Sequence, residues 1–202
     1  MSVELKFPVI TIGREYGAGG RTIAAALSEK LGIPYYDKDF VIKTAKESGY
    51  SEDEINKEGE QMNHINEFID NLLNNSAAYT SSFDQIYKAQ KNVIMDLAKS
   101  PCIIVGRCAD YILREAGINA FNIFLFADLD KKVERAKELP ENEGINDIKK
   151  AVQKRDELRN TYYKHYTGED MRYYKQYDIC LDTGVIGIDK CVDILVSALT
   201  NN

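Results

Sequence analysis

The residues best suited to chemistry are concentrated in one stretch, Gly13-Arg14-Glu15-Tyr16-Gly17-Ala18-Gly19-Gly20-Arg21-Thr22. Glycines in close succession let backbone N–H groups turn toward one point and surround an anion. A helix that starts directly afterwards aims the positive end of its dipole at the same point. The chemistry this pattern suits is capture of a phosphate or polyphosphate. The usual phosphate-binding spelling is G-x-x-x-x-G-K-[ST], and this chain departs from it. With Thr22 as the metal-binding hydroxyl, Arg21 stands where lysine belongs and Glu15 where the first glycine belongs. With one extra residue between lysine and threonine, Gly20 takes the lysine position and Arg14 the first-glycine position. In both alignments the lysine is absent. The bland alternative is a glycine-rich turn that only joins a strand to a helix.

Other charged residues recur where ligands are met. Asp37 ends Tyr35-Tyr36-Asp37, and a carboxylate at a strand tip of an α/β sheet faces the ligand crevice. Asp is equally a helix cap. Arg107 closes the run Cys102-Ile103-Ile104-Val105-Gly106-Arg107. A guanidinium there needs a carboxylate such as Asp37 or Asp110, or a substrate phosphate. Arg135, Arg155 and Arg159 flank a break at Pro140–Gly144, and Arg155 and Arg159, four apart, share one helix face. A lid closing over phosphates would need such an arrangement. A solvated helix with internal ion pairs, Glu157 among its cations, is the plainer reading.

Elements that could position these groups follow from periodicity. Pro8-Val9-Ile10-Thr11-Ile12 is a short buried strand, and Ile23, Leu27 and Leu31 define a helix after the glycines. A second strand covers Ile33–Asp37. Lys38 and Asp39 open a helix through about Glu47, and Ser51-Glu52-Asp53-Glu54 fits a capping box. Residues 49–100 contain no strand: Ile65, Phe68, Ile69, Leu72 and Leu73 keep helical spacing, as do Ile86, Val93, Ile94 and Leu97. These helices either cover the sheet or form an arm for a second substrate or a subunit contact. A third strand, apolar throughout and so central, covers 102–107. A fourth spans Ala120–Ala127. A charged helix runs from about Asn146 to Tyr166, and six tyrosines bracket Gly168. Their phenols pack the lid helix against the sheet, or one stacks on a base. The last strand is Tyr177–Thr183, and Ile188, Cys191, Val192, Leu195 and Leu199 form the closing helix.

Composition sets outer bounds. The chain has 202 residues, is 44% hydrophobic, and carries net charge −6. One substantial core with a small helical appendage is expected. An acidic balance argues against a nucleic-acid polymer, which demands a broad basic surface, but not against a mononucleotide. No apolar run reaches membrane-spanning length and no basic-apolar signal opens the chain, so a soluble cytoplasmic protein without membrane partners is expected. The four cysteines lack C-x-x-C spacing, and with His64 and His165 the only histidines, no zinc site is expected.

Five strands alternating with helices, a phosphate loop at the first turn, a helical insertion after the second strand and an arginine-rich lid after the fourth resemble the nucleoside monophosphate kinases. Ile10-Thr11-Ile12, Gly17-Ala18-Gly19, Gly106-Arg107 and Arg155-Asp156 before Arg159 look like cytidylate kinase. The stretch Gly13–Arg21, with Tyr35-Tyr36-Asp37, Val105-Gly106-Arg107-Cys108-Ala109-Asp110, and Tyr162-Tyr163 before Tyr166-Thr167-Gly168, resembles the cytidylate kinase-like family in particular. The resemblance spans nearly the whole chain. It implies a three-layer P-loop kinase fold: a five-stranded parallel sheet flanked by helices in one domain over 1–202. Its core would be 1–37, 101–138 and 176–202, with a helical acceptor-binding insertion at about 38–100 and a lid at about 139–175.

The same resemblance implies phosphoryl transfer from ATP, with Mg2+, to a nucleoside monophosphate such as CMP or dCMP. ATP phosphates would lie in the cradle Gly17, Ala18, Gly19, Gly20, Arg21 and Thr22, with Thr22 on the metal. Asp37, Arg107 and Asp110 would meet the acceptor. Arg21, Arg135, Arg155 and Arg159 would surround the transferring group. The chain departs from cytidylate kinases in lacking the loop lysine. It also reads Asp37-Lys38-Asp39 where they carry an Asp-Ser-Gly-like turn and an acceptor-binding arginine. Three rivals stay open: a small-molecule kinase with a hydroxyl acceptor, a non-catalytic nucleotide-binding protein, and an α/β domain that binds no nucleotide. A homodimer contact through the helix ending near Lys99 is also left open.

Overall fold

The computed structural model describes residues 4–37 and 77–201. The expected helices at Lys38–Glu47 and Ile65–Leu73 and the capping box at Ser51–Glu54 lie outside the described residues. The chain divides into two compact units, Met1–Tyr35 with Ser100–Asn202, and Tyr36–Lys99. In the smaller unit a helix, α2, covers Ala77–Leu97.

Five strands form one parallel sheet in the order β2-β3-β1-β4-β5. They are β1 (Val9–Arg14), β2 (Tyr35–Tyr36), β3 (Cys102–Val105), β4 (Ala120–Phe126) and β5 (Ile179–Asp182). β1 is central, pairing Ile10 with Ile103 on one side and with Phe121 on the other. Val9–Ile12 are buried without alternation because both faces are covered. Helices α1 (Gly20–Leu31) and α7 (Ile188–Leu199) cover one face. There Ile23, Leu27, Leu31, Val192, Leu195 and Leu199 pack on Ile10, Ile12, Ile103, Ile123 and Leu125. α3 (Ala109–Glu115) contacts β1 and β4 and buries Ile112 and Leu113. The result is the three-layer P-loop kinase fold.

Three segments complete the unit. α4 (Leu129–Lys137) follows β4, and α5 (Ile148–Thr167) packs on it after a 3-10 turn at Pro140–Asn142. The expected break at Pro140–Gly144 therefore contains a tight turn. α5 starts where Asp147 accepts a hydrogen bond from the Lys150 amide at 2.9 Å, and a left-handed glycine, Gly168, ends it. The last strand is shorter than expected, because Asp182 caps the four-residue α6 (Thr183–Ile186) by accepting from Gly184 and Val185 amides.

Burial sets a stability prediction. Leu195 is fully buried between α7 and α1, whereas Val185 is 79% exposed. Leu195→Ala should cost about 2–5 kcal/mol in denaturant unfolding, and Val185→Ala about 0.5 kcal/mol or less.

Candidate functional site

The glycine-rich loop connects β1 to α1 at the carboxyl ends of the strands, where open α/β sheets bind ligands. Its geometry needs its glycines. Gly17 and Gly19 have φ of 78° and 80°, and a Cβ on Gly17 would lie 2.5 Å from the Lys132 carbonyl oxygen. α1 closes its first backbone bond at Ile23, whose amide donates to Gly19 at 3.0 Å. The amides of Gly20, Arg21 and Thr22 therefore have no intrahelical acceptor, which is the standard supply of donors at a helix start. Thr22 is exposed.

An ion cluster clamps the loop from behind. Lys132 of α4 donates to Glu15 Oε2 at 2.7 Å and to Asp156 Oδ2 at 2.8 Å. Asp156 in turn accepts from the Tyr16 amide at 2.5 Å, and Glu15 accepts from Arg172 Nε at 3.1 Å. Burial works against the Lys132 charge, yet the hydrogen bonds from Asp156 and Glu15 outweigh it and its pKa ends above the ordinary lysine value. A second clasp stands beside the first. Thr183 Oγ1 lies 2.9 Å from the Ala18 carbonyl and accepts from Arg135 at 2.7 Å. Nothing in the sequence assigned Glu15, Lys132, Asp156 or Thr183 a part in holding the loop. The signal available for Lys132 was a cation on the same helix face as Ala136, a position that proves buried.

The arginines divide by environment. Arg135 is spent on Thr183, bonding its hydroxyl and, at 2.6 Å, its carbonyl. Arg155 is buried, donates to Asn142 and lies 4.3 Å over the Tyr16 ring. Asn142 also donates to Tyr16 Oη at 2.9 Å, so Arg155 fastens the lid turn to the loop. Arg159 sits 5.2 Å over Tyr16 and donates to the Arg14 carbonyl at 3.2 Å, at the edge of the loop. Arg21 is exposed and reaches the lid turn, 3.3 Å from Glu141, a surface pair of at most about 1 kcal/mol.

Asp110 is buried, and Tyr163 Oη lies 2.6 Å from its carboxylate and 2.7 Å from Gln176 Oε1. Burial raises the Asp110 pKa, with the Tyr163 hydrogen bond opposing. Tyr177 stacks on Phe124 at 4.9 Å and donates to the Met171 carbonyl. Tyr163 and Tyr177 thus pack α5 and its following turn against α3 and β4, whereas Tyr173 and Tyr174 stay exposed. Asp37 belongs to the Tyr36–Lys99 unit.

Arg107 differs from every other candidate. Gly106, Arg107 and Cys108 all adopt left-handed backbone, with φ of 76°, 61° and 56°. For the two non-glycine residues this costs about 1–2 kcal/mol each, and such strain concentrates at functional sites. Among the described residues no hydrogen bond or carboxylate engages the half-buried Arg107 guanidinium.

A model of the cytidylate kinase-like family matches residues 9–185. The chain belongs to that family. The cytidylate kinase of Methanocaldococcus jannaschii is 27% identical over 195 residues, covering 96% of this chain and 98% of that one. The cytidylate kinase of Methanothrix thermoacetophila is 30% identical over 178 residues, covering 87% and 88%. A solved structure of an uncharacterized protein from Eubacterium ventriosum is 28% identical with TM-score 0.67, covering 94% and 96%. Shikimate kinase from Bacteroides thetaiotaomicron, 14% identical with TM-score 0.57 and covering 94% and 97%, shares the fold. Membership in the cytidylate kinase-like family sets the chain among kinase-like phosphotransferases, and no helix of the described residues is long and apolar enough to cross a membrane.

Two predictions arise here. Lys132→Met removes the cation that Glu15 and Asp156 share, leaving Glu15 to Arg172 and the buried Asp156 carboxylate to the Tyr16 amide, and should destabilise the fold by about 3–5 kcal/mol in chemical denaturation. Asp110 holds its proton more tightly folded than unfolded, so its stabilising contribution is present below about pH 3.9 and is lost as pH rises through the folded-state value. Asp110→Asn should therefore gain thermal stability relative to the parent between pH 4 and pH 8. The pH slope is the readout, since any fixed cost of the amide shifts the whole curve.

Proposed function

We propose that the chain transfers the γ-phosphoryl group of ATP to a nucleoside monophosphate, with CMP or dCMP as acceptor. The observation that supports this most is the Arg107 guanidinium, which no hydrogen bond or carboxylate engages among the described residues, on strained backbone at the tip of β3, in the same sheet that carries the glycine-rich loop. A half-buried guanidinium without a carboxylate among the described residues is suited to an anion supplied from outside. An acceptor monophosphate has the required charge and the bidentate geometry that guanidinium favours. Relatives named as cytidylate kinases direct the choice of base.

Roles follow from the chemistry of each group. The amides from Gly17 to Thr22 would hold the donor phosphates. Mg2+ binds oxygen donors and keeps much of its water shell. No cluster of three His, Cys, Asp or Glu that could hold a metal occurs among the described residues. The exposed Thr22 hydroxyl and the donor phosphates would hold the ion, which would neutralise charge on the donor. Arg159 at the loop edge is the lid cation best disposed to reach the transferring group. Arg135 and Arg155 would act by holding loop and lid turn in shape. Arg21 would tether the lid turn through Glu141. Asp110 would position α3 and Arg107 from behind, at the acceptor side of the site.

The test is product formation from ATP and Mg2+ with a panel of CMP, dCMP, UMP, AMP and shikimate. Nucleoside diphosphate should form fastest with CMP or dCMP. Arg107→Ala should raise the acceptor KM at least about tenfold, the loss expected for one charge-assisted contact, with little change in the KM for ATP. Phosphorylation of shikimate alone would move the assignment to a hydroxyl acceptor. ATP binding without turnover on any acceptor would overturn it.

A further inference from the structure

The missing loop lysine leaves a question of charge: a polyphosphate in an amide cradle ordinarily meets one cation from the loop itself. Gly20 occupies the lysine position and Arg14 the position of the first glycine, when the spelling is aligned with one residue between lysine and threonine. In the folded chain these two positions are in contact. A Cβ on Gly20 would lie 2.8 Å from Arg14 Cγ and 3.4 Å from Arg14 Cδ. The Arg14 stem thus runs directly over the Cα of Gly20, through the space that a side chain at position 20 would enter. Farther along, the Arg14 guanidinium lies against Gly106, where any Cβ would overlap its Nη1. Glycine at both 20 and 106 is what gives the arginine its path.

We propose that Arg14 supplies the loop cation from the opposite end of the motif, so that the lysine and first-glycine positions have exchanged roles. A residue at the end of β1 is held by strand pairing, Arg14 being in register with Leu125. Its side chain therefore starts from a rigid base and crosses the start of α1 toward the tip of β3. The longer arginine reaches from position 14 to the ground a lysine would cover from position 20, and its planar fork can bridge two phosphate oxygens where an ammonium offers a point charge. The exposed Arg21, paired with Glu141, is freed from that task. The proposal rests on the reading of the loop as an ATP site.

A charge-relocation experiment tests it, with the non-hydrolysable β,γ-imido analogue of ATP plus Mg2+ as probe in calorimetric titration and thermal unfolding as the second measurement. Arg14→Ala should weaken binding of the analogue at least about tenfold. Gly20→Lys in the parent background should lower the unfolding temperature, since the new stem collides with that of Arg14. Gly20→Lys combined with Arg14→Ala should remove that collision, giving an unfolding temperature above that of Gly20→Lys alone, and should recover most of the lost affinity. Unchanged affinity in Arg14→Ala, with the parent binding well, would overturn the exchange of roles and leave the ATP reading standing. Failure of the parent to bind the analogue would overturn both. Weak binding in the double variant, despite a restored unfolding temperature, would show that the two positions share space but not function, and would also overturn it.

Discussion

The structure depends on one buried ammonium. Lys132 joins Glu15, in the loop, to Asp156, in the lid helix, and Asp156 also holds the Tyr16 amide. Three segments far apart in the chain meet at this point. Their charges lie out of water, where each alone would be costly and the set is tolerable only because every member is hydrogen-bonded. The cluster adds little net stability compared with an apolar core of equal volume, and its contribution is to geometry. It ties the shape of the loop to the position of α4 and α5, so the cradle and the arginine-bearing helix are held in one frame.

The cations around the loop fall into two populations. Lys132, Arg135 and Arg155 are consumed by protein partners: the carboxylate pair, Thr183 and Asn142. They shape the loop and the lid turn. Arg14, Arg107 and Arg159 lie half-buried at the loop or the strand tip, Arg14 and Arg159 with protein partners of their own. Tyr16 stands between the populations, its ring under both Arg155 and Arg159. An aromatic face partly compensates the desolvation of guanidinium without neutralising it, which keeps charge available near the loop. The chain's acidic balance overall is compatible with this, because what a small anionic ligand meets is the local field.

Much of the frame was legible in the chain itself. The apolar run before Gly13, the helical spacing of Ile23, Leu27 and Leu31, and the uniform Cys102–Val105 strand each bury a continuous face, and burial leaves a periodic mark. The loop was legible because left-handed turns select glycine. Arg107 was legible as a cation at a strand end that solvation explains poorly. Single residues with long-range partners were not. Nothing local marks Lys132 as buried among four neighbouring charged residues, or Arg135 as a structural clasp while Arg159 reaches the loop.

The sequence by itself determined the alternation of strands and helices, the glycine-rich loop and the absence of its lysine. These follow from local sterics and from which face of each element is apolar. Only the tertiary structure decided which arginine meets which partner, and that the stem of Arg14 lies over Gly20. Long charged side chains have many rotamers of similar energy, and the contacts that select among them are made with other elements of the fold, such as Thr183 for Arg135 and the end of β1 for Arg159.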